Sequence, residues 1–304
     1  MDIRPQDLPE LRAEIVSQRD AIGPSRIASL HTDRSLEAVS PGLSDIDMAV
    51  RETTKLVMAD LYHISEEMTQ LAIAAAGTLP PFSSDAEDYP SAIGFAFFNG
   101  GIPARWGDVS CRVHAASWQV LGTGAMVAFF IDLQSIVHLL PEAEASRQIA
   151  ELGTTSDGLW FNDIVRVYAG FNEGVSEQDA AAFRSESGVA ATVMPALRAT
   201  LLLMQQPLAV TSEVEPDRAA RKRLRRAGRE PKPVRVIELR RPKGSGEKGD
   251  SSREYRHQWI TRGHWRQHWY PKRQVHRPVW IAPHIKGPEG APLIGGEKVY
   301  AWKR

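Results

Sequence analysis

The sequence predicts an α+β protein built from two unlike parts. Three observations support this fold class. Apolar residues recur at helical spacing through residues 44–77, short β-prone runs fill residues 91–135, and the charge changes sign after residue 216. We expect a helical plus small-sheet N-terminal domain, followed by a small, basic, antiparallel β domain at the C-terminus.

The predicted domain boundaries follow the charge and the turn-forming residues. Residues 1–211 form an acidic α+β domain, residues 212–232 a basic linker or helix, and residues 233–304 a basic, aromatic-rich β domain. At 304 residues and 33.7 kDa the chain is long enough to bury a substantial core.

The net charge of zero conceals a strong asymmetry. Residues 217–304 contain 24 Lys+Arg and 8 Asp+Glu, a net charge of +16, which leaves 13 basic and 29 acidic residues in 1–216. Such an asymmetry indicates a nucleic-acid-binding segment, or two oppositely charged parts that dock on each other. The two interpretations can hold together.

Composition argues against a secreted or membrane protein. Cys111 is the single cysteine, so an intrachain disulfide is impossible and a reducing compartment is favoured. The first twenty residues are charged and lack the apolar stretch of a signal peptide. The most apolar run is interrupted by Asp132, Gln134 and His138, which makes it a poor membrane span. We therefore expect a cytoplasmic protein.

Helices and strands are expected in the following order. One long helix covers residues 44–77, capped by Ser44 or Asp45 and ended by Gly77. Three strands form a meander within residues 91–135, and further helices follow at 140–152 and 176–210, the last one capped by Ser176.

The basic part begins with a charge run from Asp217 to Ala227, ended by Gly228, which is either a helix or a disordered linker. A strand at 234–242 and a flexible Gly- and Ser-rich loop at 243–254 follow, and residues 297–304 resemble a closing strand.

Residues 255–287 are the most unusual segment of the chain. They hold five of the nine histidines and four of the eight tryptophans, among many arginines. In an extended segment, alternation places Trp259, Trp265 and Trp269 on one face, which we expect to be core-like. The opposite face carries Arg256, Arg262, His264, Arg266 and His268 and is expected to be cationic, while Gly263 indicates a bulge or a close approach of another chain segment.

A cationic surface with aromatic residues suits nucleic acid, because Arg and Lys neutralise phosphates and planar groups stack on exposed bases. DNA and RNA are not distinguished by this pattern. The expected contacts are Arg256, Arg262, Arg266, Lys272, Arg273, Arg277 and Lys286, with Arg225 and Arg226 of the preceding charge run.

A second hypothesis is a metal-independent ribonuclease or toxin-like enzyme. His264 would provide the proton transfer, Arg262 and Arg266 would stabilise the phosphorane, and His284 would be a second acid or base. No cofactor and no metal site are expected. His264 and His268 are four residues apart, a spacing that suits two metal ligands on a helix, but this segment is predicted to be a strand. No cysteine pair exists in the chain, and no carboxylate lies within the segment. A third hypothesis is a non-catalytic scaffold whose acidic N-terminal domain binds a protein partner.

The C-terminal part also resembles a known signature. The runs "RGHWRQ" at 262–267, "RPVWIAPHIKGP" at 277–288 and "VYAW" at 299–302 are similar to the tail of a group of uncharacterised proteins from actinobacteria, their phages and plasmids. The resemblance covers roughly residues 195–304, with departures at Thr261 and His268. It implies an actinobacterial source, a cytoplasmic location and a mobile-element, phage or host-defence setting, and it provides no activity to carry over.

Overall fold

A computed structural model describes residues 2–25, 45–80, 86–106, 109–121, 124–132, 159–167, 188–240 and 259–286. The helices in these ranges are α1 (Leu8–Ile22), α2 (Asp45–Met58), α3 (Glu66–Ala76), α4 (Gly188–Leu203) and α5 (Arg218–Arg226). The strands are β1 (Asp60–Ile64), β2 (Ile93–Trp106), β3 (Val109–Leu121), β4 (Gly124–Asp132), β5 (Leu159–Val167), β6 (Ala209–Val214), β7 (Val234–Leu239), β8 (Trp259–Thr261), β9 (His264–Tyr270), β10 (Val275–Ile281) and β11 (His284–Lys286).

The main sheet is mixed and has seven strands in the order β5-β4-β3-β2-β1-β7-β6. Strand β1 lies in parallel pairing with both β2 and β7, while every other neighbouring pair is antiparallel. Helices and a mixed sheet, together with a separate antiparallel strand pair near the C-terminus, confirm the predicted α+β class.

Each face of the main sheet is covered by its own hydrophobic cluster. Strand β4 shows the division, because Val127 and Phe129 belong to one cluster while Met126, Ala128 and Phe130 belong to the other. Side chains of α3 and α4 complete the first cluster, and those of α1 and α2 complete the second. The sheet is therefore the middle layer of three, with α3 and α4 on one face and α1 and α2 on the other.

The predicted long helix over residues 44–77 is wrong. The structure has α2, then strand β1, then α3 in this range. Strand β1 lies inside the sheet, so its residues Leu61, Tyr62 and Ile64 are buried, some against each helical layer. Its sequence therefore lacks the alternation of apolar and polar residues that would distinguish a strand from a helix. Ser65 starts α3, since its side chain accepts a hydrogen bond from the Met68 amide at 3.2 Å.

Other predicted elements are confirmed. Strands β2, β3 and β4 are the expected meander, and β7 is the expected strand after the charge run. The charge run itself is helix α5, whose N-cap Asp217 accepts from the Ala220 amide at 2.7 Å and which ends before Gly228 at φ 67°.

The predicted helix at 176–210 ends earlier than expected, and residues 176–187 lie outside the described ranges. Helix α4 covers Gly188–Leu203, and Ala209 and Val210 begin strand β6. The helix at 140–152, the Ser176 cap, the loop at 243–254 and the strand at 297–304 lie outside the described residues. Strand β7 pairs with β1, so the main sheet extends across the boundary predicted at 212–232.

A close contact in the centre of the sheet provides a test of this packing. A Cβ atom added at Gly94 would overlap the indole ring of Trp118, which is fully buried and donates from Nε1 to the Ser91 carbonyl at 2.9 Å. Gly94→Ala should therefore lower the free energy of unfolding by about 2 kcal/mol, the cost of overpacking a filled core. Urea denaturation followed by circular dichroism measures this difference.

Gly77→Ala is the matched control, because its φ is −64° and its added Cβ would meet only the Ala74 carbonyl oxygen at 3.8 Å. We expect an unfolding free energy equal to or above that of the wild type. Equal losses at both positions would contradict the packing of Gly94 against Trp118.

Candidate nucleic-acid interface

The four C-terminal strands form one antiparallel hairpin with an interruption. Strand β9 pairs with β10, and β8 pairs with β11, so residues 262–263 lie across from residues 282–283 between the two ladders. The predicted close approach at Gly263 is present, since a Cβ there would overlap the Trp280 ring and lie 3.1 Å from Pro283 Cδ. Only glycine fits at this position without displacing Trp280.

One face of this hairpin is docked on the α3 and α4 layer. Trp280 is 8% exposed and belongs to the same core cluster as those helices, and half-buried Trp265 packs against it edge-to-face at 5.3 Å between ring centroids. The Trp265 indole donates to the Ala75 carbonyl at 2.8 Å, and the Trp280 amide donates to Gln206 Oε1 at 3.0 Å. These contacts agree with the core-like role expected for Trp265. The same role predicted for Trp269 is wrong, because that side chain is 45% exposed near the tip of the hairpin.

A buried hydrogen-bonded pair also joins the hairpin to the acidic part. Arg277 Nη1 lies 2.8 Å from Asp88 Oδ2, and the two side chains are 8% and 10% exposed. Arg273 forms a second, more exposed pair with Glu87 at 2.8 Å. The two arginines were expected to contact nucleic acid, but the structure turns both toward carboxylates of the acidic part, and Arg277 is buried there.

Burial also changes the titration of Asp88. Desolvation raises the pKa of its carboxyl to about 7, although Arg273 and Arg198 act in the opposite direction. The carboxyl accepts the Arg277 hydrogen bond in either protonation state, because the guanidinium is the donor.

The part of the hairpin that remains in solvent is cationic and aromatic. Arg262, His264, Arg266, His268 and Lys272 are all exposed. They are accompanied by Trp269 and Tyr270, which are 45% and 37% exposed. We call these seven residues the hairpin surface.

Two ring contacts organise the tip of the hairpin. The Trp269 ring lies 4.8 Å from that of His276 across the strand pair, and His268 meets Tyr270 edge-to-face at 5.0 Å. The tip itself is a turn at residues 271–274, in which Gln274 adopts φ 51°. The exposed rings of Trp269 and Tyr270 thus each contact a neighbouring ring.

The predicted catalytic residues lie on both sides of the interruption. His264 and Arg266 are on β9, and His284 is on β11. His264 Nδ1 is 3.1 Å from the Arg262 carbonyl, and His284 Nδ1 is 3.0 Å from the Ala282 carbonyl, so each exposed ring is oriented by its own strand. Within the described ranges, no group of three His, Cys, Asp or Glu residues could hold a metal ion.

The remaining predicted contacts fall in two other places. Arg225 and Arg226 are exposed on helix α5, and Lys286 ends β11 opposite Trp259. Arg256 lies outside the described residues. The structure therefore places Arg262, Arg266 and Lys272 on the hairpin and Arg225 and Arg226 on a separate element.

Sequence reasoning missed the partners that fix the hairpin. Asp88, Glu87, Gln206 and the Ala75 carbonyl come from segments that are distant in sequence from the hairpin. The opposite net charges of the two halves were the one sequence signal of this docking, and they did not identify the residues involved.

Comparison with known proteins adds little. No family model and no curated protein matches the chain. A solved structure titled "Crystal structure of AcrVA2" is similar over 90% of this chain and 93% of that chain, with 11% identity and a TM-score of 0.34. A similarity at this level supports no statement about function. Among the described helices, none combines the length and the hydropathy that a membrane crossing requires.

The titration of Asp88 can be tested through stability. The folded protein binds this proton more tightly than the unfolded chain, where an Asp pKa is about 3.9. The stability contributed by this carboxyl is therefore fully present below about pH 4 and is lost as the pH rises through about 7. Urea unfolding of Asp88→Asn should consequently give a flatter dependence of stability on pH than the wild type between pH 4 and pH 7. Parallel pH profiles for the two proteins would show that Asp88 does not titrate in this window.

Proposed function

We propose that the protein binds single-stranded segments of nucleic acid through the hairpin surface. The observation that carries this proposal is the exposure of Trp269 on β9, the strand that also carries the exposed Arg266. Within the ranges whose burial is described, the other tryptophans, Trp118, Trp265 and Trp280, are buried or half-buried. A large aromatic ring kept in solvent on a hairpin that also carries exposed cations has the properties of a base-stacking site.

The charges of the hairpin surface complement the phosphate backbone. Arg262, Arg266 and Lys272 lie on or next to β9 and are exposed, so they can neutralise phosphates and release counterions. Unpaired bases can stack on Trp269 and Tyr270, whereas bases inside a duplex present no free face to these rings. This combination supports single strands over duplexes and leaves DNA and RNA as equal candidates.

The resemblance of the C-terminal signature supports a cytoplasmic, mobile-element, phage or host-defence setting for this binding. A metal-independent ribonuclease is the second candidate, because exposed His264 lies between exposed Arg262 and Arg266. Proton transfer by the imidazole next to two guanidinium groups is the chemistry that such cleavage requires.

Fluorescence anisotropy with a labelled twelve-nucleotide oligomer, as DNA and as RNA, tests the binding proposal. Trp269→Ala should weaken binding about tenfold, because stacking on one aromatic side chain contributes about 1–3 kcal/mol per base. Trp269→Phe retains a stacking ring and should bind nearly as the wild type does.

Arg51→Gln is the charge control, since Arg51 is an exposed cation on α2 outside the hairpin surface. Equal affinities of Trp269→Ala and the wild type would overturn the proposed stacking site. The same samples show whether the RNA is cut, and cleavage that persists in His264→Ala would remove His264 from any catalytic role.

A further inference from the structure

Helix α5 presents a second concentration of positive charge that the hairpin does not include. Its cations Arg218, Lys222, Arg225 and Arg226 are all exposed, and we call them the helix surface. At 100° per residue they fall on one side of the helix. The opposite side carries Ala220 and Leu224, which are buried.

Within the described ranges, no acidic residue of the protein pairs with the four cations of the helix surface. Arg223 at the edge of the helix pairs with Glu10 at 2.6 Å, and Arg229 beyond its end pairs with Asp20 at 2.9 Å, both on α1. No ion pair within the described ranges connects the helix surface to an acidic residue.

The helix therefore keeps its like charges close together. Arg218 and Lys222 are four residues apart, as are Lys222 and Arg226, and such pairs repel each other on a helix. The Asp217 cap and the docking of Ala220 and Leu224 hold the helix in spite of this repulsion. A bound polyanion would relieve the repulsion.

The helix surface lies on the other side of the molecule from the hairpin surface. Helix α5 is joined to α1 by the Arg223–Glu10 pair, and α1 covers the sheet face that contains Met126 and Phe130. The hairpin packs through Trp280 on the cluster that contains Val127 and Phe129. The seven-stranded sheet separates the two surfaces, so a ligand on one does not occupy the other.

The chemistry of the helix surface favours a phosphate backbone. Its solvent side offers no large apolar group to insert into a lipid bilayer, because Ala219 is the one apolar residue exposed on the helix. No aromatic residue occurs in α5 either, so bases have no stacking partner there. Cations spaced about 6 Å apart along the axis, at about 1.5 Å per residue, suit the repeating phosphates of a duplex without reading its sequence.

We infer that α5 is a second nucleic-acid-binding surface, which takes the phosphate backbone of a duplex independently of the hairpin. One molecule then holds a duplex on α5 and a single strand on the hairpin at the same time. The second half of this statement rests on the proposed function of the hairpin, whereas duplex binding by α5 does not.

The test uses the full chain in which Arg218, Lys222, Arg225 and Arg226 are all changed to Gln. Glutamine keeps a helix propensity close to that of Arg and Lys, so the unfolding midpoint should be unchanged or higher. Affinity for a labelled twenty-base-pair duplex should fall at least tenfold near 0.1 M salt, while affinity for the single-stranded oligomer should change less than threefold. The control is the pair of variants Arg4→Gln and Arg51→Gln, which remove exposed cations outside the helix surface.

Bridging is measured by capture of a labelled single strand on an immobilised duplex of unrelated sequence. The wild type should capture it, and both the fourfold α5 variant and Trp269→Ala should capture much less of it. Duplex binding by the fourfold variant at the wild-type level would overturn the inference, as would an equal loss of duplex affinity in Trp269→Ala.

Two further outcomes separate the proposals. Loss of duplex binding in the α5 variant, with no effect of Trp269→Ala on single strands, would support the helix surface and overturn the proposed function of the hairpin. Binding to vesicles of phosphatidylserine and phosphatidylcholine that depends on the four cations, without binding to the duplex, would assign the helix surface to lipid and overturn the inference.

Discussion

The exposed hairpin surface depends on the burial of other residues of the same hairpin. Two-stranded hairpins are at best marginally stable alone in water, and this one packs Trp265 and Trp280 against the α3 and α4 layer and hydrogen-bonds Arg277 to Asp88. The buried contacts fix the orientation of β9. Because side chains alternate along a strand, fixing Trp265 on the protein places Arg266 and His268 on the opposite face of the strand.

The opposite charges of the two halves have two consequences in the structure. Some cations of the basic part are used in pairs with the acidic part, as in Arg223–Glu10, Arg273–Glu87 and Arg277–Asp88. The others remain in solvent as the hairpin surface and the helix surface. Docking and the proposed ligand binding therefore involve different members of the same set of basic residues, and the two sequence interpretations of the charge asymmetry are compatible.

Local signals allowed much of this fold to be predicted. The Asp217 cap and Gly228 mark both ends of α5. Alternation in β9 correctly separates the half-buried Trp265 from the exposed Arg266, but it does not predict the exposure of Trp269. Strand β1 could not be predicted in the same way. A central strand in parallel pairing is apolar on both faces, so a five-residue strand between two helices has the same pattern as a continuous buried helix.

The sequence predicted the kind of surface that forms the candidate site, but not which residues belong to it. Arg266 and Arg277 are the same residue type on paired strands, yet one is exposed and the other is buried on Asp88. Their difference depends on a carboxylate 189 positions away in sequence, which no local pattern reveals. The concentration of cations on α5 was visible in the sequence, but its separation from the hairpin by the sheet depends on the order of the layers.

The most direct test of this account is the salt dependence of binding to a single-stranded oligomer. Each phosphate contact on a single strand contributes about −0.7 to the slope of log K against log salt concentration. Changing Arg262, Arg266 and Lys272 together to Gln should therefore make that slope less negative by about 2, with Arg51→Gln as the unchanged reference. A slope that is the same in the triple variant and the wild type would contradict the assignment of the hairpin as the nucleic-acid-binding surface.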